Sequence, residues 1–296
     1  MSVYKNGNTI VEIKDDGTKI RYVPDDQIAH PIFPESIDLK ITNRCSMGCP
    51  MCHEKSYPDG AHADLNNPIL DTLHPFTELA IGGGNPMSHP DLKDFLLRMK
   101  RKQVICNITV HWKTFCEQYE TLKHYTEEKM IYGLGVSVNE DIPDDVIELF
   151  KEFKHLVVHV IIGVADFKLI QKLYDNNLNI LLLGYKDFGK GKDYCIENHA
   201  EIDMKIIEIA TNLPSMVNHF RAVSFDNLAI NQLELNKVLK PEAFKQMYMG
   251  NDGEYTMYID FVEKRFAKSS TEEYRPEICG NSIDELFSYV REKCAV

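Results

Sequence analysis

From Ser36 onward, short β-prone runs alternate with stretches of helical periodicity, and this alternation constrains the fold more than any other feature of the chain. IDLKIT leads into a cysteine-rich loop and a helical start after Asn67-Pro68. FTELAI leads into a glycine loop and DLKDFLLRMKRK, and VICNITV into a helical stretch near 113–129. YGLGVSV, HLVVHVII and NILLLGY follow, trailed by DDVIELFKEF, DFKLIQKLYD and a helix around 200–212. Strands separated by helices of about 10–15 residues pair in parallel, because the chain must cross back over the sheet before the next strand begins. The pattern predicts an α/β chain with about six βα units and a further strand at RAVSFD, short of the eight of a full barrel; by itself it fits a barrel or an open doubly wound sheet.

Both ends depart from this rhythm. TIVEIKDDGTKIRYV, residues 9–23, places two β-prone runs around Asp16-Gly17 and predicts a small N-terminal hairpin. Pro24, Pro31 and Pro34 then mark an irregular connector. Beyond 239–241, EYTMYIDFVEKRFAKSS reads as an antiparallel hairpin. SIDELFSYVREK reads as a helix with Ile283, Leu286, Phe287 and Val290 on one face and Ser282 as its cap. The expected divisions are 1–35, 36–240 and 241–296.

Lys and Arg number 33 against 45 Asp and Glu, a formal charge of −12, so the whole-chain balance offers no attraction to a phosphate backbone or an anionic membrane. The opening MSVYKNGNTI lacks a charged-then-apolar layout, and no apolar run reaches the roughly 18 residues of a membrane span, so a cytoplasmic location is expected. The eight cysteines, at 45, 49, 52, 106, 116, 195, 279 and 294, are too scattered for a disulfide framework. In a reducing compartment the cluster of three points to metal binding or catalysis.

That cluster, Cys45, Cys49 and Cys52, lies in the loop after the first main strand. Soft thiolates at this spacing suit zinc or an iron–sulfur cluster, and a four-iron cube held by three protein ligands keeps one iron open to an outside molecule. The alternative is a structural zinc held by Cys45, Cys49, Cys52 and His53. The adjacency of Cys52 and His53 makes that geometry awkward, and no second ligand pair stands elsewhere.

Cys45-x-x-x-Cys49-x-x-Cys52 resembles the CxxxCxxC signature of the radical S-adenosylmethionine (radical SAM) superfamily. The resemblance covers about residues 36–240 and implies a partial (β/α)6 barrel with a small N-terminal hairpin and a small C-terminal β-hairpin plus helix. It implies one [4Fe-4S] cluster on the three cysteines and S-adenosylmethionine on the open iron, with Met51 beside the adenine. Gly82-Gly83-Gly84-Asn85 resembles the family's Gly-Gly-Glu motif for the methionine amino group, without the acid; backbone carbonyls or the Asn85 amide oxygen stand in for it. A β-branched residue at Gly83 is expected to impair cofactor binding while the cluster still assembles. The run 159–166 resembles a GxIxGxxE pattern, with His159 for the first Gly and Asp166 for the Glu, which puts Ile161 against the adenine and Gly163 in the cofactor site. Ser137 and Asn139 stand where ribose or carboxylate contacts are common, and Leu183, Gly184 and Tyr185 where backbone and ring reach the adenine.

The same resemblance implies reductive cleavage of the sulfonium to a 5′-deoxyadenosyl radical that takes hydrogen from a substrate, with an electron donor such as flavodoxin or ferredoxin. The C-terminal segment is similar to a SPASM or twitch remnant, which favours a peptide or protein side chain over a small metabolite or nucleoside. Its Cys279 and Cys294 are too few for an auxiliary cluster. A zinc-stabilised binding module is the non-enzymatic alternative. Cys195 and Cys279 are spare thiols for hydrogen donation, against the reading of each as a small buried hydrophobe. Lys186, Lys190 and Lys192, among glycines, read foremost as a solvated loop, with a grip on an acidic substrate or the cofactor carboxylate as the alternative. His111, Trp112 and residues 224–227 sit at strand ends. The N- and C-terminal extensions are expected to wall the mouth of the barrel.

Overall fold

The computed structural model describes residues 2–24 and 27–294, with the backbone alone at 293 and 294, so the Cys294 side chain lies outside the described residues. Its first element was not anticipated. β1 (Ser2–Asn6) turns at Gly7 and pairs antiparallel with β2 (Thr9–Ile13), which forms the expected hairpin with β3 (Lys19–Tyr22). The hairpin is therefore a three-stranded sheet. β1 is held by partners distant in sequence: Tyr4 stacks on Phe33 and Phe76, and the buried Asn6 amide bonds the backbone of Ile32 and Phe33.

The main sheet comprises β4 (Ser36–Thr42), β5 (Glu78–Gly83), β6 (Ile105–His111), β7 (Gly133–Ser137), β8 (Leu156–Ile161), β9 (Asn179–Leu183), β10 (Ala222–Phe225), β11 (Thr256–Asp260) and β12 (Arg265–Ala267). Its order is β10-β9-β8-β7-β6-β5-β4-β11-β12. All neighbours are parallel except β11 and β12. β4 to β9 are the six expected strands of the partial barrel, and RAVSFD supplies β10. The C-terminal hairpin forms as expected, but it is continuous with the sheet: β11 runs parallel to β4 in the register Tyr258 to Asp38 and Asp260 to Lys40.

Alternation along the strands divides the sheet into two faces. Ile37, Leu39, Ile81, Ile108, Val158 and Ile259 join the buried layer under the helices, each worth about 1.5–3 kcal/mol of burial. The intervening positions, among them Asp38, Lys40, Asn107, Thr109 and His159, are polar and face the inside of the curve. His159 packs so close to Gly135 that a Cβ there would stand 2.4 Å from its ring, and burial pushes its pKa down to about 4, leaving it neutral at pH 7.

The two extensions occupy different ends. Glu35, just before β4, takes Arg21 and Lys19 of the N-terminal sheet. Lys19 also pairs with Glu78 at the start of β5, and the Tyr132 hydroxyl, just before β7, donates to the Asp15 carbonyl. The N-terminal sheet thus floors the barrel at the strand N-termini, and the expectation that it walls the mouth is overturned. The C-terminal helix Ile283–Cys294 is capped by Ser282 as expected, buries Ile283, Leu286, Phe287 and Val290, and docks on the 3-10 turn Pro68–Thr72 through Ile283 N to Thr72 Oγ1. Asn227, after β10, bonds Asp252 at 2.7 Å and the Gly250 carbonyl at 3.2 Å, tying the end of edge strand β10 to the segment that leads into β11. The helix expected around 200–212 spans Lys190–Met216 with a kink at Asn198. Among the described residues no helix is long and apolar enough to cross a membrane.

Candidate active site

β4 ends at Thr42 and the cysteine loop leaves from the C-terminal rim of the barrel. Backbone bonds from Cys45 N to Tyr57 O, Tyr57 N to Asn43 O and Asn43 N to Ala61 O fold the loop back on itself. Cys45, Cys49 and Cys52 are half-buried, and burial pushes the Cys45 and Cys49 thiols up, the neighbouring thiols adding to it. Metal ligation reverses such a shift, because a bound cation favours the thiolate. Among the described residues no three His, Cys, Asp or Glu side chains form a ready-made single-metal site. A polynuclear cluster takes its thiolates at separate corners, so the donor set fits the iron–sulfur alternative.

The segment 186–191 is not simply solvated. Lys190 donates its backbone N–H to Cys52 O at 3.1 Å and its ammonium to Ser56 O at 3.2 Å. A Cβ on Gly189, whose φ is +65°, would stand 2.2 Å from His53 O, so only glycine allows this approach. Lys186 lies 3.3 Å from His53 Nε2 and donates to Ser270 Oγ at 2.8 Å. The loop after β9 thus clamps the cysteine loop from across the rim.

A second network lies beneath. Lys40 Nζ sits between Glu54 Oε2 at 2.8 Å and Asp260 Oδ2 at 3.0 Å, all three nearly buried, and Glu54 Oε1 reaches His53 Nε2 at 3.2 Å. Burial alone pushes the Glu54 carboxyl up; His53 and the Lys40 ammonium outweigh it and hold the group well below the ordinary range. Sequence reasoning missed Lys40, Glu54 and Asp260. The only signal was a lysine on the inward row of a strand two residues from its end.

The glycine run divides into two roles. Gly84 N bonds Thr42 O and Asn85 N bonds Arg44 O, each at 2.7 Å, stitching the run to the root of the cysteine loop. A Cβ on Gly83 would meet Thr42 O at 2.5 Å, and one on Gly84 would meet Arg44 O at 2.4 Å, whereas one on Gly82 would enter open space. A side chain at Gly83 or Gly84 would thus collide with the root of the cysteine loop, whereas one at Gly82 would meet nothing. Gly83→Val is expected to lower iron content along with cofactor affinity, which revises the expectation of a selective defect. Gly82→Val should instead keep its iron and bind S-adenosylmethionine about tenfold more weakly in anaerobic titration calorimetry. Unchanged affinity would remove Gly82 from the site. The Asn85 amide oxygen caps the following turn through Met87 N at 3.1 Å, so it is already engaged.

The remaining rim positions are partly committed to the fold. Asn139 Oδ1 accepts from Ile161 N at 2.7 Å, while its amide nitrogen has no partner among the described residues. Ser137 ends β7 beside His111 and His159. Gly163, φ +80°, admits Ile202 of the long helix. Leu183 O accepts from Ile162 N, and Gly184 N donates to Asp226 Oδ1 at 2.9 Å, so these backbone groups are not all available to an adenine as expected. Tyr185 is 5% exposed, exchanges two bonds with the Gln232 amide and donates its hydroxyl to Gly191 O. Met51, Ile161, Tyr185 and Cys195 nevertheless share one apolar cluster with Val164 and Ile202.

Cys279 is exposed, in the segment running to the C-terminal helix, and is not part of this cluster. Trp112 Nε1 bonds Glu140, and His111 and Asp226 cap helices.

No family model and no curated protein matches the chain. Among solved structures, Streptococcus suis SuiB bound to precursor peptide SuiA superposes with a TM-score of 0.56 and 16% identity over 83% of this chain and 63% of SuiB. SuiB bound to S-adenosylmethionine gives 0.57 and 15% identity over 83% of this chain and 64% of that one. The chain thus spans less than two thirds of SuiB's length, and the likeness establishes a shared fold.

Proposed function

We propose that the chain is a radical SAM enzyme that modifies a peptide or protein side chain. The carrying observation is the CxxxCxxC loop at the C-terminal rim of a partial barrel, its three thiols half-buried and its root stitched to a glycine run whose Gly82 faces open space. Active sites of related barrels lie on this rim. The peptide assignment draws on SuiB, whose structures hold S-adenosylmethionine and a precursor peptide.

In this reading Cys45, Cys49 and Cys52 hold one [4Fe-4S] cluster. Bound there, the reduced cluster and S-adenosylmethionine together supply one-electron cleavage of the sulfonium and a 5′-deoxyadenosyl radical that takes hydrogen from the substrate. The residues of the chain position and shield. Gly82 lets a ligand approach bare backbone, Met51 and Ile161 offer apolar surface to a purine, and the Lys186–Gly191 clamp fixes the cysteine loop. The N-terminal sheet closes the floor, so substrate enters over the rim. Electrons come from a low-potential donor such as flavodoxin or ferredoxin.

Purified and reconstituted without oxygen, the protein is expected to carry about four iron and four sulfide per chain. With dithionite it should release 5′-deoxyadenosine from S-adenosylmethionine, read by liquid chromatography. Stoichiometric zinc in place of iron, or an intact cofactor after reduction, overturns the proposal.

A further inference from the structure

We propose that the barrel interior holds a cationic group of the substrate, an ammonium or a guanidinium, between Asp38 of β4 and the Tyr258 hydroxyl of β11. The inference rests on the reading of the chain as a peptide-modifying enzyme and names substrate chemistry that reading leaves open. Asp38 and Tyr258 are register partners on adjacent parallel strands. Their strand neighbours Ile37, Leu39, Met257 and Ile259 are buried in the helix-covered layer, so both side chains belong to the inner face.

Tyr258 is 2% exposed and its hydroxyl has no hydrogen-bond partner. Native folds seldom leave a buried hydroxyl unsatisfied, and one kept in that state points to a missing partner. The Asp38 side chain is reachable by water but hemmed in by protein, and it carries neither a hydrogen bond nor an ion pair among the described residues. A phenol oxygen and a carboxylate are both acceptors, which suits a donor-rich cation.

The charges around the pair favour the same occupant. Glu54, Asp226 and Asp252 act on Asp38, and Lys186 is the cation opposing them. Lys186 is engaged with Ser270, Lys40 is held between Glu54 and Asp260, and Arg275 lies 4.9 Å over the Tyr258 ring while donating to the Glu272 and Ser270 carbonyls. The protein crowded around the Asp38 carboxyl strips part of its hydration and pushes it up to about 6, with Lys186 opposing and the three carboxylates adding. An incoming cation relieves this repulsion, and an anion deepens it. Glu54, two residues after Cys52, acts on both Asp38 and Tyr258.

The test is anaerobic equilibrium dialysis of the reconstituted protein against radiolabelled N-acetyl-lysine methylamide and N-acetyl-arginine methylamide, with the norleucine and glutamate analogues as comparisons. The lysine or arginine probe should be retained and the other two not, and whichever cation is held more tightly identifies the side chain. Asp38→Asn should weaken retention about tenfold and Tyr258→Phe severalfold. Neither variant should melt below wild type at pH 8, since neither group has a partner to lose. Equal retention of norleucine, or wild-type retention by Asp38→Asn, overturns the inference. Failure of the cation probes in a protein that does split S-adenosylmethionine counts against this inference alone. Absence of iron and of cofactor cleavage in wild type counts against the functional reading instead.

Discussion

Replacing Cys45, Cys49 and Cys52 together by Ala should leave a protein that folds, carries no iron after anaerobic reconstitution and forms no 5′-deoxyadenosine. The loop does not depend on the thiols for its shape. Its backbone closes through Cys45 N to Tyr57 O and Tyr57 N to Asn43 O, and it is braced by Lys190 and by the glycine run. Each substitution removes a half-buried sulfur, so the metal-free variant should melt within about 4 °C of metal-free wild type. The loaded proteins should differ by more, because a cluster bound only to the folded state stabilises it by mass action. Iron and sulfide assays, the absorbance near 400 nm expected of an iron–sulfur cluster, and a thermal melt with and without reconstitution read the three quantities separately. Iron retained by the triple variant would place the cluster elsewhere and dismantle the reading.

What the sequence made legible and what it hid follow from the range of the interactions. Hydrophobic alternation is local, so IDLKIT, VICNITV and NILLLGY announce β4, β6 and β9, and Ser282 announces the start of the C-terminal helix. The cysteine spacing is local too. β1 was invisible because SVYKN carries no apolar alternation; it is a strand by virtue of Tyr4 and Asn6 meeting Phe33 and Phe76 far along the chain. The parallel pairing of β11 with β4 joins segments more than two hundred residues apart, and no window reports it. The backbone approach of Thr42 and Arg44 to Gly83 and Gly84 was hidden because a glycine run reads the same whether the close neighbour is a cofactor or another piece of backbone. Lys186 and Lys190 looked solvated because charge on a loop usually is, and only the crossing of the rim by the cysteine loop gives them partners.

Lys40→Met should be the most destabilising single change in the barrel interior. It fills about the same volume and removes the ammonium that separates Glu54 from Asp260, leaving two nearly buried carboxylates facing each other without a countercharge. Breaking a buried pair from one side costs about 3–5 kcal/mol, most of it the burden of the charge left behind. The damage should not stay local. Glu54 is two residues past Cys52, and Lys40 is on the strand that launches the cysteine loop, so the loop loses its tie to β11. Urea denaturation should show the midpoint falling with little change in slope, and iron retained through desalting should fall with it. Adding Glu54→Gln and Asp260→Asn should restore much of the stability, because the unpaired charges disappear with their partner. The combined variant should still lose iron faster than wild type, since no ionic tie then holds the loop to the sheet. A Lys40→Met protein as stable as wild type would mean that water reaches the three side chains and screens them. Stability lost with iron retention unchanged would mean that the network supports the sheet and not the cysteine loop.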